Sequence, residues 1–368
     1  MKKIIYLLSI LTLTFSCKNV AEIKGLVDDV PSVVEPLITG EFQIEEEDFG
    51  AVIELTGVSK PVDVIFKVSG TKMVTDDTLL IVQNRHKTNT FMLFSLPEFK
   101  YLKSFGLIGN GPDEFLYPKL IAGTNSISKC LILNKSKMYS LDKDLNLKRE
   151  KILFPETDSP YDSREISYLC DSSFLFVDTT PNGKEISKLT FAADTQNISH
   201  IFNLSFLKGH KGWATYIGDF GINKKRDRIV YAYKYFKRLV FTRLDGSDAR
   251  VINFRAPEIE KKDIIRTLGP DNITHFWGIS AQRNYVYFLY SGRTPLEVGE
   301  EFKSGKHYIF VEQYDWNGNP IRKFKLDQWG YFCVNESETK LFLASVTDEN
   351  PFFVYDLPQL VSSDKKLQ

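Results

Sequence analysis

One short pattern recurs through most of the chain: an apolar strand, a polar turn, and a second, alternating strand. Copies occupy residues 91–105 (FMLFSLPEFKYLKSF), 137–153 (KMYSLDKDLNLKREKIL), 187–204 (SKLTFAADTQNISHIFNL), 239–254 (LVFTRLDGSDARVINF) and 309–326 (IFVEQYDWNGNPIRKFKL). A last half-copy, 352–357 (FFVYDL), is a first strand without its partner. A shorter strand precedes each copy, at 79–83, 131–133, 174–177, 228–233, 285–290 and 340–344, so that four-strand units start at intervals of roughly 45 to 58 residues. Such a unit cannot bury both faces alone and must stack on its neighbours. Six of them predict an all-β fold, a six-bladed β-propeller closed into a ring. An unpaired edge at 352–357 would leave the ring open, and 49–55 (FGAVIEL) is the candidate partner, an N-terminal strand pairing with the last blade. Asp245-Gly246 and Asn317-Gly318 predict type I′ hairpin turns, which need positive φ at both central positions.

The run from Phe105 to Phe115 (FGLIGNGPDEF) carries Gly106, Gly109, Gly111, Pro112, Glu114 and Phe115 in close order. Its glycine spacing invites comparison with a phosphate loop, but that chemistry needs a helix N-terminus after the glycines, and here Pro112, Pro118 and strand patterns follow. A tight crossing between blades, anchored by Phe115, fits the residues, with Asp113 and Glu114 as turn carboxylates. This segment resembles the FG-x-x-G-x-GPxEF signature of TolB-like six-bladed β-propeller lipoproteins, and residues 314–321 (YDWNGNPI) with 353–357 (FVYDL) are similar to that family's last blades. The resemblance covers about residues 50–360 and implies the propeller fold and little about activity.

Lys2 and Lys3 precede an apolar run from Ile4 to Phe15, shorter than the roughly 18 residues that cross a bilayer and suited to a secretory leader. The run ends in Thr14-Phe15-Ser16-Cys17, which resembles a lipobox with Thr14 where leucine is usual. The resemblance implies acylation of Cys17 and an outer-membrane lipoprotein of the bacterial cell envelope. The expected layout is a signal peptide at 1–16, a flexible stalk at 17–48, the propeller at 49–360 and a polar tail at 361–368. Contact with the membrane is then through the lipid anchor only. Forty-seven basic and 47 acidic residues cancel, and loss of Lys2 and Lys3 leaves a net charge of −2, which argues against a nucleic-acid partner. Cys130, Cys170 and Cys333 are an odd count in apolar contexts and read as buried free thiols.

Five scattered histidines offer no metal-ligand spacing, no G-x-S-x-G elbow occurs, and no cofactor motif is present, so neither metal nor cofactor is expected. The candidate ligand-binding residues are aromatic and polar groups just before inferred blade starts: His210, Trp213 and Tyr216, then His275 and Trp277, with Arg85 and His86 as neighbours at the same mouth. Aromatic packing between blades is the competing role for them. The functional expectation is a binding or scaffolding module for an envelope protein, a peptide or a glycan, without catalysis. The alternative is a propeller lyase or glycoside hydrolase, whose mark would be carboxylates converging with shifted pKa values.

Overall fold

The computed structural model describes residues 36–63, 66, 70–84, 88–111, 114–116, 118–122, 128–142, 144–154, 165–192, 195–208, 215–254 and 272–359. The leader, Cys17 and the 361–368 tail lie outside these residues. An N-terminal segment carries β1 (Gly40–Ile44), a single 3-10 turn (Glu46–Phe49), β2 (Ile53–Leu55) and β3 (Val58–Lys60). Blade 1 follows as β4 (Lys72–Thr75), β5 (Leu79–Gln83), β6 (Asn89–Ser95) and β7 (Lys100–Leu107). Blade 2 is β8 (Pro118–Ala122), β9 (Ser128–Asn134), β10 (Lys137–Asp142) and β11 (Leu147–Ile152). Blade 3 is β12 (Glu165–Cys170), β13 (Ser173–Thr180), β14 (Gly183–Ala192) and β15 (Thr195–Asn203). Blade 4 is β16 (Gly218–Asn223), β17 (Arg228–Tyr233), β18 (Arg238–Thr242) and β19 (Arg250–Phe254). Blade 5 is β20 (Thr274–Ala281), β21 (Tyr285–Arg293), β22 (Ile309–Asp315) and β23 (Pro320–Leu326), with helix α1 (Pro295–Lys303) between β21 and β22. Blade 6 is β24 (Gly330–Val334), β25 (Lys340–Ser345) and β26 (Phe352–Asp356).

Each blade is a sheet in sequence order, as the repeat predicts, and the first strands β4, β8, β12, β16, β20 and β24 touch in succession around a ring. The core is distributed between blades. Six apolar clusters fill the six interfaces, the closing one included: Met73, Leu80, Phe94 and Phe99 of blade 1 meet Cys333, Phe342 and Phe352 of blade 6. Alternation explains this, because each blade sends one set of side chains to each neighbour.

Ring closure is by an N-terminal strand, but a later one than 49–55. Val58–Lys60 pairs antiparallel with Phe352–Val354, while Ile53–Leu55 lies parallel to Phe324–Leu326 at the outer edge of blade 5. The reason is Gly57, whose N–H donates to Asp327 at 3.2 Å and where any Cβ would sit 2.7 Å from the Tyr355 ring; only a glycine lets the chain cross there onto blade 6.

The segment expected as stalk is also folded from Gly40 onward. Gly40–Ile44 adds in parallel to Arg250–Phe254, and Leu37, Ile44 and Phe49 are buried between blades 4 and 5. Phe49 meets the Tyr314 ring edge-on at 5.3 Å. Beside it, Glu46 ion-pairs with Lys237 and, at 2.5 Å, with Lys323, which also lies 3.1 Å from the fully buried Glu312. Two lysines and two carboxylates thus neutralise one another under the 3-10 turn.

The two dipeptide turns are built differently from the expectation. Gly246 and Gly318 hold left-handed φ values of 83° and 84°, but Asp245 and Asn317 do not. The carboxylates of Asp245 and Asp315 instead accept backbone N–H groups, from Ser247 at 2.9 Å and from Asn317 and Asn319 at 2.9 and 2.8 Å, closing longer loops. Cys130 and Cys333 are buried free thiols, whereas Cys170 is only half-buried, its Sγ 3.0 Å from the Ser173 hydroxyl. Burial pushes the Cys130 and Cys333 thiols far above the ordinary value.

Candidate binding site at the channel mouth

All six first strands run in the same sense, so their opening residues gather at one end of the channel. Glu165, first in β12, receives Lys119 of β8 at 2.7 Å and Lys72 of β4 at 3.3 Å, tying three blades together. Burial alone would raise the Glu165 carboxyl, but the two ammonium groups outweigh it and hold it at about 2. The side chains are 46% (Lys72), 30% (Glu165) and 21% (Lys119) exposed, so screening of the three charges is partial.

Asp219 of β16 is the next carboxylate around the ring. Among the described residues it has no hydrogen-bond or ion-pair partner, and burial, reinforced by Glu165, raises it to about 6. The turns joining second and third strands reach the same end and add two lysines, Lys184 in blade 3 and Lys234 in blade 4. Burial lowers the pKa of both. Lys234 Nζ stands 4.5 Å from the centroid of Trp277, whose other neighbours are Trp329 and Tyr331, each at 6.3 Å. The Tyr331 hydroxyl accepts the Gly70 N–H at 3.0 Å.

Of the residues singled out from the sequence, Trp277 stands at this mouth. Tyr216 does not: it is buried between blades 3 and 4, its hydroxyl accepting the Leu207 N–H at 3.1 Å. His275 is buried as well, stacked on Tyr290 at 6.2 Å, and burial with Lys237 nearby holds its imidazole at about 3. A neutral, enclosed imidazole packs rather than titrates. Arg85, His86, His210 and Trp213 lie outside the described residues. Lys72, Lys119, Glu165, Lys184, Asp219, Lys234 and Tyr331 were not foreseen; their signal is a shared position in the repeat, at or near the opening of a first strand or after a second one.

The glycine segment serves the passage between blades 1 and 2. Gly106 adopts φ 75° against Phe91, where a Cβ would sit 2.7 Å from the ring. Gly111 N–H donates to Glu114 at 2.7 Å, and a side chain at Gly109 would collide with that carboxylate. Phe115 is fully buried against Phe91 and Tyr139, at 5.7 and 5.0 Å; Pro112 lies outside the described residues. Among the described residues no cluster has the makings of a metal site, and no helix is long and apolar enough to cross a membrane.

The family of TolB-like 6-blade propeller-like proteins matches residues 51–200 and 249–337, which together are most of the chain. The chain belongs to this family. No curated protein matches the sequence. Among solved structures, a Bacteroides fragilis protein described as exported superposes with a TM-score of 0.52 at 12% identity, over 88% of this chain and 99% of that one. TolB from Acinetobacter baumannii gives 0.40 at 10% identity, over 71% and 57%, and a Desulfotomaculum acetoxidans protein of unknown function gives 0.41 at 13%, over 80% and 84%. At such identities the Bacteroides likeness bears on the fold alone. As a TolB-like propeller, the chain departs from a plain ring in its N-terminal strands, two of which widen blades 4 and 5 to five strands.

Proposed function

We propose that this TolB-like propeller is an envelope lipoprotein, tethered through acylated Cys17, that binds and holds a protein, peptide or glycan at the channel mouth. The observation that carries the reading is the convergence of charged and aromatic side chains from all six blades at that one end: Lys72, Lys119, Glu165, Asp219, Trp277 and Tyr331. Their chemistry is that of a recognition surface, since both oxygens of Glu165 are occupied by lysines. The leader-like N-terminus and the description of the Bacteroides fragilis protein as exported support the address. Photo-crosslinking residues placed at 234 or 331 should give partner adducts in membranes, and one at Lys225, at the far end of the channel, should not. Adducts from 225 alone would overturn the reading, and Cys17→Ala should release the protein from the membrane fraction.

A second reading has one observation in its favour. Glu165 and Asp219, coupled across adjacent blades, are pushed in opposite directions, to about 2 and about 6, a separation that acid–base enzymes use. It predicts turnover of a glycan substrate that Asp219→Asn abolishes; release of reducing ends from an envelope polysaccharide panel tests it.

A further inference from the structure

Four charged side chains meet where the N-terminal segment crosses blades 4 and 5: Glu46, Lys237, Lys323 and Glu312. Glu312 is fully buried and the side chains of Lys237 and Lys323 are 8% and 6% exposed, whereas Glu46 is 49% exposed. Without Glu46 the two ammonium groups share one carboxylate, in a pocket walled by Phe254, Tyr290 and Phe310. An enclosed charge that loses its counter-ion is strongly unfavourable, so one lysine must then move toward water. Lys323 lies inside β23, a strand flanked by β22 and β2. Lys237 ends the four-residue turn 234–237 between β17 and β18, so it is the turn that yields.

The other end of that turn belongs to the mouth. Lys234 Nζ stands 4.5 Å from the Trp277 centroid, and the Lys234 carbonyl accepts the His275 N–H at 2.7 Å, two residues before Trp277 in β20. Lys237 Nζ lies 4.5 Å from the centroid of Tyr290, on which His275 stacks. Two chains of contact, one through the turn backbone and one through Tyr290, thus join Glu46 to the strand that presents Trp277. We propose that Glu46 is a positioning residue for the binding mouth: its hold on Lys237 fixes the 234–237 turn and keeps Lys234 over Trp277. The inference rests on the reading of the mouth as the binding site and makes partner binding depend on the docking of the N-terminal segment. By linkage, a partner that needs the docked arrangement tightens that docking by the same factor. Glu54, a carboxylate of the same segment, pairs instead with Lys325 of β23 at 2.8 Å and provides the control.

The test is fluorine NMR of the full-length acylated protein in detergent, labelled with 5-fluorotryptophan, the Trp277 line being assigned by its absence in Trp277→Phe. Glu46→Gln should shift that line, and Glu54→Gln should leave it in place. Lys237→Met added to Glu46→Gln removes the stranded ammonium, keeps an apolar stem against Phe254 and Tyr290, and should return the line to its wild-type position. A role for Glu46 in holding down the N-terminal segment alone predicts no such rescue. In membranes, partner adducts through residue 331 should fall about threefold or more in Glu46→Gln and recover in the double variant. An unmoved Trp277 line in Glu46→Gln, or a shift that Lys237→Met does not reverse, overturns the inference. If Glu46→Gln does not fold, Glu46→Asp takes its place: it retracts the charge by one methylene and should move the line part of the way, and no movement again overturns the inference. Equal adducts through 331 in wild type and Glu46→Gln leave the mouth as the binding site and remove the positioning role. If the line responds as expected but 331 gives no adducts in any form, the partner reading fails and the link from Glu46 to Trp277 stands.

Discussion

Glu165 Oε1 lies 2.7 Å from Lys119 Nζ, so that a carboxylate of blade 3 and an ammonium of blade 2 meet where their first strands open, with Lys72 of blade 1 on the other oxygen. The contact makes one side chain a clasp for half the ring. Glu165→Gln leaves two lysines facing each other and should lower stability by roughly 1–2 kcal/mol at pH 7, discounted for the partial exposure of all three side chains. Because the folded carboxyl sits at about 2 against an ordinary 4.5, the wild-type advantage is present above pH 4.5 and disappears as pH falls toward 2. Urea midpoints across that range measure it.

Asp219 should behave in the opposite sense. Its folded value of about 6 exceeds the ordinary 3.8, so the folded state holds its proton longer and wild-type stability declines as pH rises from about 4 to 6. Asp219→Asn removes the cost of ionising it: the variant should match wild type near pH 4 and melt higher at pH 7. Equal melting temperatures at pH 7 would contradict the burial assigned to this carboxyl.

His275 supplies an acid limit. An unfolded imidazole protonates near 6.5 while the folded one resists to about 3, so stability is lost as pH falls through that window. His275→Phe keeps the ring stacked on Tyr290 and should flatten the decline between pH 6.5 and 4, read from thermal midpoints.

Truncations separate the proposed tether from the strap, the N-terminal segment 36–60 that docks on blades 4, 5 and 6. Deleting residues 18–35 leaves every strap contact in place and should not move the urea midpoint. Extending the deletion through 49 removes Leu37, Ile44 and Phe49 from the core, each worth about 1.5–3 kcal/mol, and frees Lys237 and Lys323 from Glu46. Extending it through 60 opens the ring and should abolish cooperative unfolding.

The blade count and hairpins were legible because alternation and turn residues are local: the 309–326 copy pairs as β22 and β23 in the expected order. The closing strand was not, since FGAVIEL is the more apolar segment and VSK the one that closes; the choice is made by Gly57 meeting Tyr355 and Asp327, residues remote in sequence. The mouth failed for a similar reason. Aromatic density marks Tyr216 and His275, which are packing residues, while Glu165, Lys119 and Lys72 become a site only when the ring brings three strand openings together.

The strap also fixes an order of events during synthesis. Glu46 leaves the ribosome long before Lys323, its partner 277 residues on, and Val58 waits for Val354, which is nearly the last of the domain to appear. The earliest-made strands must therefore wait unpaired in turn, β1 until the last strand of blade 4 is made, β2 until that of blade 5, and β3 until translation of the domain is all but complete. A chain stopped short of β26 leaves both ends of the ring without partners, so the final strand acts as a check that the whole domain has been made.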